Sequence, residues 1–147
     1  MNLDLNTITT RLKAIEIDGV PLFEQVLTAL DPETVIDAGG VARDSAFVVP
    51  MREFAQENER TTGTYSQQMT TLFAVMIGIR AINDRLGNTI NDRLARAIKE
   101  VRKALVGWEP SEDLEPISFI EGEIVAFLRG GAFWMEQFST GYLYEQE

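Results

Sequence analysis

Apolar residues recur at spacings of four and three at Ile8, Leu12 and Ile15, which predicts a short first helix capped by Asn6 or Thr7. Asp18-Gly19-Val20-Pro21 breaks it. The segment 22–29 fits helix and strand equally by pattern. Asp31-Pro32-Glu33 reads as a second helix start, with Asp as cap and Pro at the first helical position, and Gly39-Gly40 closes that helix. Ala46 to Met51 is a compact apolar strand ending near Pro50. Residues 54–64 form the most polar stretch and are expected to be an exposed, mobile loop between two strands. From Tyr65 to Ile82 apolar residues of one parity persist, and the other parity turns apolar from Leu72. That pattern predicts a long strand covered on one face in its first half and on both faces in its second.

The clearest helix follows. Thr89-Ile90-Asn91-Asp92 matches a capping box, and Ile90, Leu94, Ala97, Ile98, Val101 and Leu105 make an apolar stripe ended by Gly107 and Pro110. Arg93, Arg96, Lys99, Arg102 and Lys103 fall on its outer arc. The repeat of Ile-Asn-Asp-Arg-Leu at 82–86 and 90–94 is a coincidence, one copy in a turn and one in the helix. Beyond it, Ile117–Ile120 and Ile124–Leu128 read as strands flanking a Glu121-Gly122-Glu123 turn. Arg129-Gly130-Gly131 then turns into a last strand from Ala132 towards Tyr144. With no linker or repeat array, the chain reads as a single α+β domain over 1–147, with helices packed on one face of a mostly antiparallel sheet.

Composition narrows the chemistry. There is no histidine and no cysteine among the 147 residues, which removes the usual neutral-pH base, thiolate chemistry and the common zinc ligands. No phosphate-cradling loop, nucleophile elbow or calcium-loop spacing appears. Glu121 and Glu123 read as solvated carboxylates beside a turn, not as an acid/base pair. No catalytic residue, metal or cofactor is therefore expected, and the protein is not expected to be an enzyme. The formal charge of −10 disfavours general nucleic-acid binding. The start Met1-Asn2-Leu3-Asp4 has no basic, apolar leader character, and no run has membrane-span length, so neither a membrane nor secretion is expected.

The charge is unevenly spread: net −6 over residues 1–64, +4 over 65–107 and −8 over 108–147. These segments either neutralise one another within the fold or form oppositely charged flanks suited to head-to-tail packing. Eight aromatic residues between Trp108 and Tyr144 either fill the core or meet a neighbouring subunit.

Specific motifs lie past residue 100. Ala104-Leu105-Val106-Gly107-Trp108-Glu109-Pro110 is followed by Pro116 to Phe127, and then by Gly131-Ala132-Phe133-Trp134-Met135-Glu136-Gln137-Phe138-Ser139-Thr140-Gly141-Tyr142. This order resembles phage and prophage tail-terminator-like proteins, in which an A-L-L-G-W-x-P helix end precedes a Phe-x-Gly-Gly hairpin and a W-W-x-x-x-F-x-T-x-Y last strand. Glu121-Gly122 stands here for the Gly-Gly, and Phe133-Trp134 for the Trp-Trp. Towards the N-terminus the likeness is one of layout.

The resemblance implies a structural assembly protein whose copies form a ring, six-membered in the family, on the head-proximal end of the tail tube. Such a ring stops tube polymerisation and offers the head–tail joining surface. The implied partners are further copies of the chain, the tail tube protein and a head-completion or connector protein, with DNA passing through the lumen unread. The implied location is the virion tail, and the host cytoplasm during assembly. A head-side connector or stopper of related fold is the alternative, and a small ligand-binding α+β domain a more distant one. Arg93, Arg96, Lys99 and Lys103 are expected to face Glu136 and Glu145 across the subunit boundary. Gln56, Glu57, Asn58, Glu59 and Arg60 are expected to touch the tube.

Overall fold

The structure is a computed structural model and describes residues 1–37, 41–57, 63, 65–81, 88–128 and 130–146. In chain order the elements are α1 (Leu5–Lys13), β1 (Glu16–Ile17), β2 (Val20–Pro21), β3 (Gln25–Thr28), α2 (Pro32–Asp37), β4 (Ser45–Ala55), β5 (Ser66–Arg80), α3 (Asn88–Leu105), β6 (Ser118–Leu128) and β7 (Gly131–Glu145). One five-stranded sheet has the order β3-β4-β5-β7-β6, and β1 and β2 form a separate small hairpin. Every neighbour in the large sheet is antiparallel except β3 and β4, which the α2 connection makes parallel. The fold is the expected α+β class. The ambiguous 22–29 segment contains a strand.

Burial follows the period of each element. In α1, Ile8 and Leu12 are fully buried one turn apart. Its cap is Asp4, whose Oδ1 accepts from the Asn6 N–H, so the helix starts earlier than Asn6 or Thr7 capping would allow. α3 likewise starts at Asn88, which makes Thr89 a first-turn residue instead of the cap. The expected Asp31 cap is present: its carboxylate accepts from the Thr34 N–H and hydroxyl, which holds its pKa below the usual value. The Gly39-Gly40 stop and the 82–86 turn lie outside the described residues.

The two longer helices pack on one sheet face. Ile8 and Leu12 of α1 and Val101 and Leu105 of α3 close over Phe73, Val75 and Phe138, with the Phe73 and Phe138 rings stacked at 5.5 Å. Arg11 binds the two helices together, donating to the Ala104 carbonyl and lying 4.5 Å over the Trp108 ring. On the opposite face Val35 of α2 joins a smaller cluster with Val49, Met76 and Phe133.

Three strand expectations are corrected. β4 does not end at Pro50: it runs to Ala55, with the register shifting between Pro50 and Arg52. Proline cannot donate to the ladder, and a bulge absorbs the missing bond. Phe54 and Ala55 are therefore strand, not loop. Nor is Glu121-Gly122-Glu123 a turn. β6 runs straight through it, pairing Glu121, Gly122 and Glu123 with Gln137, Glu136 and Met135. Gly122 serves close approach instead: a Cβ there would lie 2.2 Å from Glu136 Oε1 and 2.9 Å from the Trp134 ring.

Candidate functional site

α3 presents its basic residues in two different ways. Residues at Ile90, Leu94, Ala97, Val101 and Leu105 face the sheet and are buried. Arg96, Lys99 and Lys103 lie on the far side and are exposed. The two arginines nearest the sheet are occupied. Arg93 bonds the Asp44 carboxylate and the Arg80 carbonyl, which pins the start of α3 to the ends of β4 and β5. Arg102 clamps Glu136, with Nε to Oε2 at 2.7 Å and the second nitrogen to Oε1 at 2.8 Å.

Glu136 is the main correction to the expected interface. The residue has no exposed surface, and Trp134 Nε1 donates to its Oε1 at 2.7 Å in addition to the Arg102 fork. Its carboxylate is consumed inside the chain and cannot meet a neighbouring subunit. Burial of a charge requires such pairing. The hydrogen bond to Glu136 raises the Arg102 pKa, and the guanidinium also lies 4.1 Å over the Phe119 ring. The alternation of β7 points Trp134, Glu136 and Phe138 to the same face as α3, which is the signal that could have foretold this pairing.

Glu145 is exposed but sits elsewhere. It pairs with Ser66 at one end of the β5–β7 ladder, whereas α3 begins beside Arg80 at the other end. Nine residues of extended chain separate Glu136 from Glu145, about 30 Å at the usual strand rise. Glu145 instead shares a sheet tip with Gln56 and Glu57. There the Gln56 N–H donates to the Gln68 carbonyl, and the Gln146 N–H to the Tyr65 carbonyl. The tip leaves Tyr65, Leu143 and Tyr144 about half exposed. Asn58, Glu59 and Arg60 lie outside the described residues.

One further polar cluster has shifted acidities. Glu53 on β4 accepts from the Thr71 hydroxyl of β5 at 2.6 Å and the Tyr142 hydroxyl of β7 at 2.8 Å. Burial alone would raise the Glu53 pKa, but those two donors and the N-terminal ammonium outweigh it and hold it below the usual carboxylate value. Burial and the bond to Glu53 push Tyr142 up to about 12. The cluster ties three strands together and lines none of the concavities described for this fold. Among the described residues no group of acidic side chains is arranged to hold a metal, and no helix is long and apolar enough to cross a membrane.

The sequence matches the family of phage tail terminator proteins over residues 1–146. The chain belongs to the phage tail terminator family. That family is one of structural proteins, and its members are tail components of the virion. Among solved structures, a chain described as "Virion of native gene transfer agent (GTA) particle" shares the fold. Its TM-score is 0.53 at 16% identity, over 95% of this chain and 92% of that one. A search of curated proteins found no match.

A tail structural protein meets its partners through whatever its own fold leaves uncovered. For this tail terminator family member the surfaces left uncovered by the described residues include the Arg96–Lys99–Lys103 face of α3, the sheet tip around Glu57 and Tyr144, the β3 edge with Leu27 and Leu30 exposed, and β6. The last was not foreseen. β6 is an open sheet edge with Ile120, Ile124 and Phe127 exposed, Phe127 by 75%, and with Glu121 and Glu123 also exposed. Its pattern shows a strand that is apolar on both parities, but only the topology reveals that no strand among the described residues pairs with its outer side.

Proposed function

We propose that the protein is a tail terminator in the full sense: copies of the chain close into a ring, six-membered by family resemblance, on the head-proximal end of the tail tube. The ring stops further addition of tube protein and offers the joining surface to a head-completion protein. DNA passes through its lumen without sequence-specific contact, and the subunits are made and assembled in the host cytoplasm. The observation that carries this reading is the family match over residues 1–146, nearly the whole chain. The unspent surfaces support it. An acidic chain keeps a basic helix face and an apolar sheet edge exposed, and a head-to-tail ring is a way to bury both.

In this reading Arg96, Lys99 and Lys103 serve the subunit contact, and Arg93 fixes the helix that carries them. Gln56, Glu57 and Glu145 serve the tube or head contact from the sheet tip, together with the neighbouring 58–60. The test is a polymerisation assay. Tube protein is assembled with and without this protein, and tube lengths and tube ends are measured by electron microscopy. The expected result is shorter tubes with a ring on one end. Tubes of unchanged length and bare ends, at saturating protein, would refute the function.

A further inference from the structure

The five-stranded sheet ends in β3 on one side and β6 on the other, and among the described residues no strand pairs with the outer side of either. The backbone N–H and C=O groups along such an edge, 11 residues long in β6, are a template for another strand. The two edges complement each other in direction. β6 is antiparallel to β7, β7 to β5 and β5 to β4, while β3 is parallel to β4. β3 thus runs opposite to β6. Rotation about an axis along the strands preserves these directions, so β6 of one copy meets β3 of the next antiparallel. The edges also agree in height and face. Across the sheet, Val26 stands level with Ala46, Ile77, Trp134 and Ile124, and Leu27 with Phe47, Met76, Met135 and Glu123. Val26 and Ile124 share the helix-bearing face, and Leu27 and Glu123 the opposite one.

The helix layer is offset from the sheet beneath it. α1 lies over β3 and β4, and α3 over β5 and β7. At β6 the cover gives out: Arg102 of α3 reaches Phe119, but Ile124 and Phe127, on the same face, stay 41% and 75% exposed. At the other edge the cover is complete, with Ile8 and Leu12 of α1 in one apolar cluster with Val26 of β3. Joining the two edges brings the neighbour's α1 beside the bare part of β6. What one edge lacks, the other edge of the same chain carries, and this singles out a second copy as the partner of β6.

We infer that β6 of one copy pairs antiparallel with β3 of the next, so that the sheet runs on across the subunit boundary and the neighbour's α1 covers Ile124 and Phe127. Backbone pairing sets the direction of the contact, and burial of these two side chains holds it. The inference rests on the ring reading above and gives that ring its contact.

Cysteine cross-linking tests it, because the chain contains no cysteine of its own. Within one chain β3 and β6 lie four strand spacings apart, about 19 Å, so a disulfide between them joins two copies. Leu27→Cys is combined with Glu123→Cys, or with Glu121→Cys two residues along, which leaves Ile124 and Phe127 in place. After assembly and oxidation, at least one of these pairs should give a ladder of covalent oligomers on a non-reducing gel. Thr28→Cys with Glu123→Cys sets the thiols on opposite faces and should give no species beyond a dimer, as should each single variant. Phe127→Ala supplies the second arm. It should raise the concentration needed for assembly about tenfold, with circular dichroism unchanged. Wild-type protein that stays monomeric at every concentration, and on tubes, would overturn the ring and this contact together. If wild type assembles, three results overturn the contact alone: no ladder from either same-face pair, an equal ladder from the opposite-face pair, or assembly of Phe127→Ala at the wild-type concentration.

Discussion

Replacing Arg102 with alanine strands a carboxylate. Glu136 has no exposed surface and loses both guanidinium bonds, keeping only the Trp134 donor. Breaking a fully buried ion pair from one side costs about 3–5 kcal/mol. Arg102 is itself 40% exposed, so water enters where the guanidinium was and the cost drops to about 2–3 kcal/mol. Loss of the cation–π contact with Phe119 adds about 0.5 kcal/mol. Glu136→Gln is the informative companion. The amide keeps the size and accepts from Trp134, while the unpaired Arg102 reaches solvent, so about 1 kcal/mol is expected. Glu136→Leu with Arg102→Met should return close to wild type, because an apolar pair carries no desolvation cost. The assay is urea unfolding of dilute protein followed by tryptophan fluorescence. With a slope of about 2 kcal/mol per molar, Arg102→Ala should lower the midpoint by about 1–1.5 M and Glu136→Gln by about 0.5 M. A Glu136→Gln variant less stable than Arg102→Ala would refute the reasoning, since the penalty would then not come from a stranded charge.

Gly122→Ala should cost about 2–3 kcal/mol, seen as a fall in Tm of about 4–10 °C, because the Glu136 oxygen that a Cβ would strike is pinned by Arg102 and Trp134 and cannot give way. A Tm within 1–2 °C of wild type, on the order of one half kcal/mol, would show that β6 yields there. Glu53→Gln should destabilise the protein by about 1–2 kcal/mol at neutral pH. Because the folded Glu53 pKa is lowered, its contribution is complete above the unfolded value of 4.5 and fades as pH falls through the lower folded one. Wild type and variant should therefore converge in acid, and a gap that keeps its neutral-pH size however far the pH falls while the protein stays folded would contradict the assignment.

The parts of the fold visible in the sequence are those fixed by local period. Ile8 and Leu12 in α1, the apolar stripe of α3 and the double-sided β5 all lie where their spacing put them. The errors share a cause: each is a residue whose meaning depends on a distant neighbour. Gly122 reads as a turn between two glutamates, a common local use of glycine, until the Trp134 ring and Glu136 carboxylate are seen to occupy the space above it. Pro50 reads as a strand end because it cannot donate, until the bulge beside it carries β4 on to Ala55. The caps missed by a residue or two, because Asp4 and Asn6 are both competent and only the chain path chooses between them.

The interface shows the same limit in electrostatic form. Sign and segment were legible: the helix is basic and the C-terminal third acidic. What composition cannot say is which charges the fold spends on itself. Arg93 goes to Asp44 and Arg102 to Glu136, so two of the five cations on the helix arc are internal ties. Glu136, nominally the best-placed acid on the last strand, is the one that vanishes from the surface, since facing α3 is what makes it pairable. The remainder, Arg96, Lys99 and Lys103, is exposed, and an exposed ion pair made by any of them contributes only about 0–1 kcal/mol. These charges can set direction and register but not hold a ring. The holding energy must come from apolar surface, which the described residues expose at several places, among them Leu30 by 85%, Phe127 by 75% and Val20 by 63%. Charges can therefore only steer a contact that exposed apolar side chains secure, and the sequence alone does not say which apolar side chains, Phe127 among them, the fold leaves uncovered.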